Sequence, residues 1–296
     1  MAERTSASVL QERAEAVASV LPPLLVAADR VAATVTQGVH GRRRVGQGEA
    51  FWQFRRYQPG DLPQRIDWRQ SAKRDHVFVR QTEWEAAQSV WLWRDGSRSM
   101  RWRSSPPLPE KRERADLLAL ALASLLVRGG ERVALLGGGF APTGGRAALA
   151  RLALLVSRED AQTAPSLPPE QPLPRFAHLV AIGDFLSPVE EVAAALRPFA
   201  ERGVMGHLLR VLDPAETTLP FTGRVRFEGL EGEGSLLLAR VEGVREEYLE
   251  RMERHQEGLK DLARSIGWTF TTHHTDGSPE AALLALYVMV AADERP

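Results

Sequence analysis

From Val90 onward the chain alternates short apolar runs with longer stretches of helical periodicity. Strands are predicted at 89–94, 132–137, 177–183 and 204–212, and helices at 110–128, 146–157 and 189–202. Such alternation predicts an α/β fold, a mostly parallel sheet covered by helices on both faces. Gly129-Gly130 should end the first of these helices, and Ser187-Pro188 should supply a cap and an N1 proline for the third. Val225–Phe227 and Ser235–Val241 flank Glu231-Gly232-Glu233-Gly234 and read as a hairpin. Tyr248, Met252, His255, Leu259, Leu262 and Ile266 recur at alternating spacings of four and three, which puts them on one face of a long helix. His255 in that stripe reads as a partly buried core residue rather than a ligand. Trp268–His273 then reads as a strand and Pro279–Val290 as a closing helix.

Before residue 87 the texture differs. Residues 7–36 read as one or two helices broken at Pro22-Pro23, and 41–85 form a polar, Arg-rich and aromatic segment. The expected organisation is therefore an N-terminal helical and β extension, 1–86, followed by an α/β domain, 87–296. The Pro-rich stretch from Thr163 to Pro174 reads as a surface loop.

Lys plus Arg equals Asp plus Glu at 38 each, so the 296-residue chain has no general attraction for nucleic acid or an anionic membrane. It contains no cysteine, which excludes disulfides, thiolate metal sites and cysteine nucleophiles. Charged residues at Glu3, Arg4, Glu12, Arg13 and Glu15 do not read as a signal peptide. The apolar run Ala281–Ala292 is shorter than the about 20 residues a membrane-spanning helix needs. The expectation is a cytoplasmic protein without a membrane span.

The chemistry centres on Asp95-Gly96-Ser97-Arg98-Ser99, directly after the apolar run Val90-Trp91-Leu92-Trp93. One carboxylate and two hydroxyls at alternate positions on the turn leaving a strand can face one hard cation, which takes oxygen ligands. Asp184 stands at the carboxyl end of another buried strand, in Leu179-Val180-Ala181-Ile182-Gly183-Asp184. Ligands in doubly wound sheets bind beyond the carboxyl strand ends where the strand order reverses. If these two strands are neighbours at that reversal, Asp95, Ser97, Ser99 and Asp184 converge. The competing reading is that Asp184 and Ser187 cap the following helix.

These residues resemble the metal-site loop of von Willebrand factor A domains, where Asp-x-Ser-x-Ser, a threonine and a distant Asp hold a divalent cation. Upstream, Gly46-Gln47-Gly48-Glu49-Ala50-Phe51, Arg56-Tyr57-Gln58-Pro59-Gly60-Asp61 and Arg65-Ile66-Asp67-Trp68-Arg69-Gln70-Ser71-Ala72 resemble the signature of the bacterial domain of unknown function 58 family. The resemblance implies a von Willebrand A-like (Rossmann-like) core with an N-terminal extension. It further implies a site for Mg²⁺, or Mn²⁺, at Asp95, Ser97, Ser99 and Asp184, with Thr143 or Thr163 as the threonine. Gly183 departs from the serine many such domains carry before the Asp. The implied partner is a MoxR-type AAA+ ATPase, working with this chain to assemble or mature a client protein.

Read physically, the signature places Gly60 and Asp61 in a turn and pairs Asp67 with Arg65 or Arg69 beneath the Trp68 ring, a lock between extension and sheet. A rival reading takes Arg42, Arg43, Arg44, Arg55, Arg56, Arg65, Arg69, Lys73, Arg74 and Arg80, interleaved with Phe51, Trp52, Tyr57 and Trp68, as a nucleic-acid platform. Glu49, Asp61, Asp67 and Asp75 among them argue against it. His273-His274-Thr275-Asp276 could supply a base or a second metal cluster, but adjacent strand residues point to opposite faces. A metal-dependent hydrolase at Asp95 and Asp184 lacks a nominated nucleophile. The expected function is a non-enzymatic protein-interaction module.

Overall fold

The structure is a computed structural model and describes residues 30, 32, 51–57, 66–73, 76–82, 88–158, 164–230, 232 and 234–292. The chain divides into two compact units, Gly38–Gln88 and Met1–Gln37 with Ser89–Pro296.

In the smaller unit, β1 (Phe51–Arg56) pairs antiparallel with β2 (Phe78–Thr82), with a register shift between Phe51 and Gln53. A single turn of helix, α1 (Trp68–Ser71), lies between them in sequence. Ser71 fastens it. The Ser71 hydroxyl donates to the Asp67 carbonyl at 2.8 Å and accepts the Phe78 N–H at 2.8 Å, while the Asp67 N–H donates to the Phe78 carbonyl. The turn therefore bonds β2 through Ser71, and Trp68 points outward, 68 % exposed. Asp67 is half-buried and Arg69 is exposed. The expected lock under a Trp68 lid is corrected on this point; Gly60, Asp61 and Arg65 lie outside the described residues.

The larger unit is built on a five-stranded parallel sheet. Its strands are β3 (Ser89–Arg94), β4 (Arg132–Leu135), β5 (His178–Gly183), β6 (Met205–Leu212) and β9 (Thr269–His274). They lie in the order β4-β3-β5-β6-β9, every neighbouring pair parallel. The helices are α2 (Lys111–Arg128), α3 (Gly145–Arg158), α4 (Val189–Glu201), the short α5 (Pro214–Thr218), α6 (Arg245–Ser265) and α7 (Pro279–Ala292). α2 packs with α3 and α7 in one layer, and α4 packs with α6 in the other. This is the expected α/β architecture, a parallel sheet with helices on both faces.

Burial on both faces explains why the strands read as continuous apolar runs rather than alternating ones. Val90–Trp93 and Leu179–Ile182 are buried throughout. Trp91, Trp93, Leu179 and Ala181 join Val192, Leu196, Leu259 and Leu262 in the core beneath α4 and α6. α2 is buried on all sides from Leu118 to Leu126, as a helix sandwiched between a sheet and two other helices must be. Gly206 is fixed by close approach. A Cβ there would lie 1.9 Å from Cδ2 of Trp268, whose indole N–H donates to the Val204 carbonyl at 3.0 Å.

Two sequence expectations shift slightly. Pro188, not Ser187, occupies the N-cap of α4, and no side-chain hydrogen bond caps that helix. The expected hairpin forms as β7 (Val225–Glu228) with β8 (Ser235–Leu238), and Val241–Gly243 make a 3₁₀ turn instead of prolonging the strand. Gly232 and Gly234 take positive φ in its loop, the conformation that glycine adopts without strain.

The strand order fixes the location of the site. From β3 the chain moves outward to β4, then returns past β3 to β5 and continues to β6 and β9. The order thus reverses between β3 and β5, and Asp95 and Asp184 follow these two strands.

Candidate metal centre at the strand reversal

The Asp95 N–H donates to the Ile182 carbonyl of β5 at 2.8 Å, so pairing between β3 and β5 runs directly into the loop. Its carboxylate turns back on its own chain, accepting the Ser97 N–H at Oδ1 at 2.9 Å. That two-residue side-chain turn holds the next residues over the strand end. Arg98–Met100 then wind into a 3₁₀ turn, which places the Ser97 and Ser99 hydroxyls 3.1 Å apart. Asp95 and Ser97 are buried; Ser99 is half-buried.

Asp184 approaches from β5. Its Oδ2 accepts the Ser99 hydroxyl at 2.7 Å, and because Ser99 has a single proton, the Ser97 hydroxyl is the donor in the 3.1 Å contact. Asp184 Oδ1 accepts the Leu186 N–H at 3.3 Å. The residue between them, Phe185, is buried with φ at 48°, a left-handed conformation that costs a bulky side chain energy. It packs against Trp93, ring centroids 6.1 Å apart. The backbone at Asp184 is thus held bent by core packing.

A lysine completes the cluster. Lys111, the first residue of α2, is 1 % exposed, and its Nζ donates to Asp184 Oδ2 at 2.9 Å and to Glu216 Oε1 at 2.7 Å. Burial alone would lower its pKa, but the Asp184 and Glu216 carboxylates outweigh it and raise the value above the usual lysine range. The ammonium is therefore charged. Burial pushes the Glu216 carboxyl upward, and the Lys111 ammonium pulls against that shift. Glu216 is held by a capping box: its Oε2 accepts the Asp213 N–H at 2.7 Å, and Asp213 Oδ1 accepts the Ala215 N–H at 2.8 Å. The other Asp213 oxygen accepts the Ser104 N–H at 2.9 Å, joining the end of β6 to the loop after Ser99. Tyr248 donates to the Glu216 carbonyl at 2.7 Å; burial, then Glu216, push its phenol up to about 12. Buried Arg210 donates from Nε to the Asp184 carbonyl at 3.0 Å.

The donor set fits a small hard cation. Asp95, Ser97, Ser99 and Asp184 offer only oxygen, and the 3.1 Å between the serine hydroxyls is close to the about 3 Å that separates adjacent ligands of an octahedral Mg²⁺. Among the described residues there is no grouping of three or more His, Cys, Asp or Glu placed to hold an ion, so the fit depends on the two hydroxyls.

The chain matches the family described as protein of unknown function DUF58 over residues 53–258. It belongs to that family. Its relatives include uncharacterized proteins of Mycobacterium bovis and Mycobacterium tuberculosis, each 27 % identical over 256 residues, covering 82 % of this chain and 80 % of theirs. Among solved structures, an aerotolerance-related membrane protein of Bacteroides fragilis shares 16 % identity with a TM-score of 0.43, covering 70 % of this chain and 100 % of that one. The conserved hypothetical protein BatB of Bacteroides thetaiotaomicron shares 16 % identity with a TM-score of 0.40, covering 70 % and 98 %. The architecture rests instead on the sheet order and the loop geometry. Among the described residues no helix is long and apolar enough to cross a membrane.

In this member of the family Asp95, Ser97, Ser99 and Asp184 are brought together as the spacing predicted, and Thr143 is not. Thr143 exchanges backbone hydrogen bonds with Val133 on the outer edge of β4, and Val133 lies in register with Val90 of β3. Asp95 is five residues beyond Val90, roughly 16 Å along the strand at about 3.3 Å per residue. Thr143 cannot reach the site; Thr163 lies outside the described residues. His255 is half-buried as expected and ties α6 to the loop after β5, its Nε2 lying 2.9 Å from the Ser187 carbonyl. His273 is buried at 3.2 Å from the Arg114 guanidinium, and burial, then Arg114, bring its pKa down to about 4. It accepts a hydrogen bond as a neutral ring, a structural role. Lys111 and Glu216 were not predicted. One cue existed: Lys111-Arg112 opens a helix where the macrodipole favours acidic residues.

Proposed function

We propose that this chain is a protein-interaction module whose centre at Asp95, Ser97, Ser99 and Asp184 takes a divalent cation, Mg²⁺ in the first place and Mn²⁺ as an alternative. When bound, the cation supplies an open coordination position for a carboxylate from outside. Asp95 and Asp184 contribute the negative charge and Ser97 and Ser99 neutral oxygens, and one oxygen from each of these four residues leaves two of the six positions of an octahedral ion open. The observation that carries this reading is the contact between Ser99 and Asp184, 2.7 Å across the strand reversal. It brings oxygens from two neighbouring loops to one point, where ligands of doubly wound sheets bind. The partner proposed from the family resemblance is a MoxR-type AAA+ ATPase, in the cytoplasm, acting with this chain on a client protein. The direct test is calorimetric titration with Mg²⁺ and Mn²⁺. The parent chain should bind and Asp95→Ala should not; equal isotherms would refute the site.

A second reading is favoured by one observation in the smaller unit: Trp68 is 68 % exposed beside exposed Arg69 and Lys73. An open indole followed in sequence by exposed cations suits stacking of a single-stranded nucleic-acid base. Binding of a labelled oligonucleotide at low salt, weakened by Trp68→Ala, would support that role. No binding at low salt would remove it.

A further inference from the structure

The Lys111 ammonium occupies a place that no cation-dependent site requires. It is buried, it opens a helix whose positive end disfavours it, and it donates to the same Asp184 oxygen that accepts the Ser99 hydroxyl. Burial of a lone ammonium is costly, so its partners explain its position: Asp184 at 2.9 Å and Glu216 at 2.7 Å. Glu216 is in turn fixed from Asp213, and Asp213 from Ser104, so the second acceptor is as rigidly placed as the first.

We propose that Lys111 is a resident cation of the site: it neutralises Asp184 when no metal is bound and yields Asp184, retaining Glu216, when a divalent cation enters. This deepens the proposed function and rests on the reading of Asp95, Ser97, Ser99 and Asp184 as a cation site. Glu216 lets the exchange occur without exposing the lysine, since its hydrogen bond is already made. The loops after β3 and β5 are thus held in place without metal. The ammonium beside Asp184 also repels a dication, so Lys111 sets the affinity of the site low and makes occupancy respond to the cation concentration.

The test compares the parent chain with Lys111→Gln, which keeps a hydrogen-bond donor and removes the charge, and with Lys111→Met as a second neutral variant. Mg²⁺ and Mn²⁺ affinities are measured by calorimetry, and thermal melts are recorded in chelator and in millimolar Mg²⁺. The parent should melt only slightly higher in Mg²⁺ than in chelator, by the small amount a weakly bound ion adds. The glutamine variant should bind Mg²⁺ about tenfold more tightly or better, since a like charge within a few ångströms of a site shifts its equilibria by at least that much. It should also melt lower in chelator and recover with Mg²⁺. If a neutral variant binds Mg²⁺ no more tightly than a parent chain that does bind it, Lys111 is not a competing cation and the proposal is overturned while the cation site stands. If neither parent nor variants bind either metal, the cation site itself fails and the exchange with it. Should Lys111→Gln not fold, the same readouts on Lys111→Met in Mg²⁺ decide the matter, because rescue by the metal alone is the result the exchange requires.

Discussion

A Cβ atom on Gly183 would lie 2.8 Å from the Cβ of Asp95 and 3.2 Å from its Oδ2. The ends of β3 and β5 approach so closely that a side chain at position 183 has no room. Trp93 closes the other side at 3.3 Å. The glycine is therefore the local condition for Asp95 to stand where it does.

Gly183→Ser should displace Asp95 rather than add a useful hydroxyl. Overpacking of this kind costs about 1 to 3 kcal/mol. Denaturant melts should show that loss, and Mn²⁺ titration should show a larger proportional loss of binding than of stability. Unchanged cation binding in a folded variant would mean that the loop relaxes freely.

Directly before Asp95, buried Arg94 pairs with Asp116 at 2.6 Å and donates to the Val156 carbonyl at 3.0 Å, fastening the end of β3 to α2 and α3. Asp116→Ala removes the counter-charge and should destabilise the chain by about 3 to 5 kcal/mol, measured by urea unfolding. A loss below about 1 kcal/mol, the range of exposed pairs, would show that Arg94 is compensated elsewhere.

The buried ring of His207 sets an acid limit. Burial, then the stacked His178 ring, bring its pKa down from the usual 6.5 to about 3, and its Nδ1 lies 2.8 Å from the Thr269 hydroxyl. A depressed folded-state pKa means that the unfolded chain binds the proton more readily. The stabilisation from keeping this ring neutral is therefore complete above about pH 6.5 and falls as pH drops toward 3. From pH 7 to pH 5 the expected loss is about 2 kcal/mol from this group. Urea melts at both values should show it, and His207→Gln should flatten the dependence. Parallel slopes in parent and variant would place the acid sensitivity elsewhere.

The sequence made the sheet legible because strands buried on both faces are unbroken apolar runs, and those at 89–94 and 178–183 fall where the pattern of Val90–Trp93 and Leu179–Ile182 put them. The meeting of Ser99 with Asp184 was legible too, since it follows once β3 and β5 flank the reversal. Lys111 was not. It reaches Asp184 across 73 residues and Glu216 across 105, and no local pattern reports which helix start folds over which strand end. Trp68 failed for a related reason: aromatic character suggests burial, but a one-turn helix fastened by Ser71 leaves the indole outside. Thr143 has the right hydroxyl, and only its pairing with the edge strand shows that it stands at the wrong level of the sheet.

The measurement that bears most directly on the account is binding of this chain to a purified MoxR-type ATPase from the same cell, without nucleotide, at constant ionic strength. The parent should bind in Mg²⁺ and release in chelator, and Asp95→Ala should lose binding in Mg²⁺ while keeping its melting transition. Arg43→Glu with Arg44→Glu should change binding little, since coordination of a carboxylate to a cation does not work by counterion release. Binding that persists in chelator and in Asp95→Ala but vanishes in the arginine variant would contradict the metal-centred account and make the basic segment the functional surface.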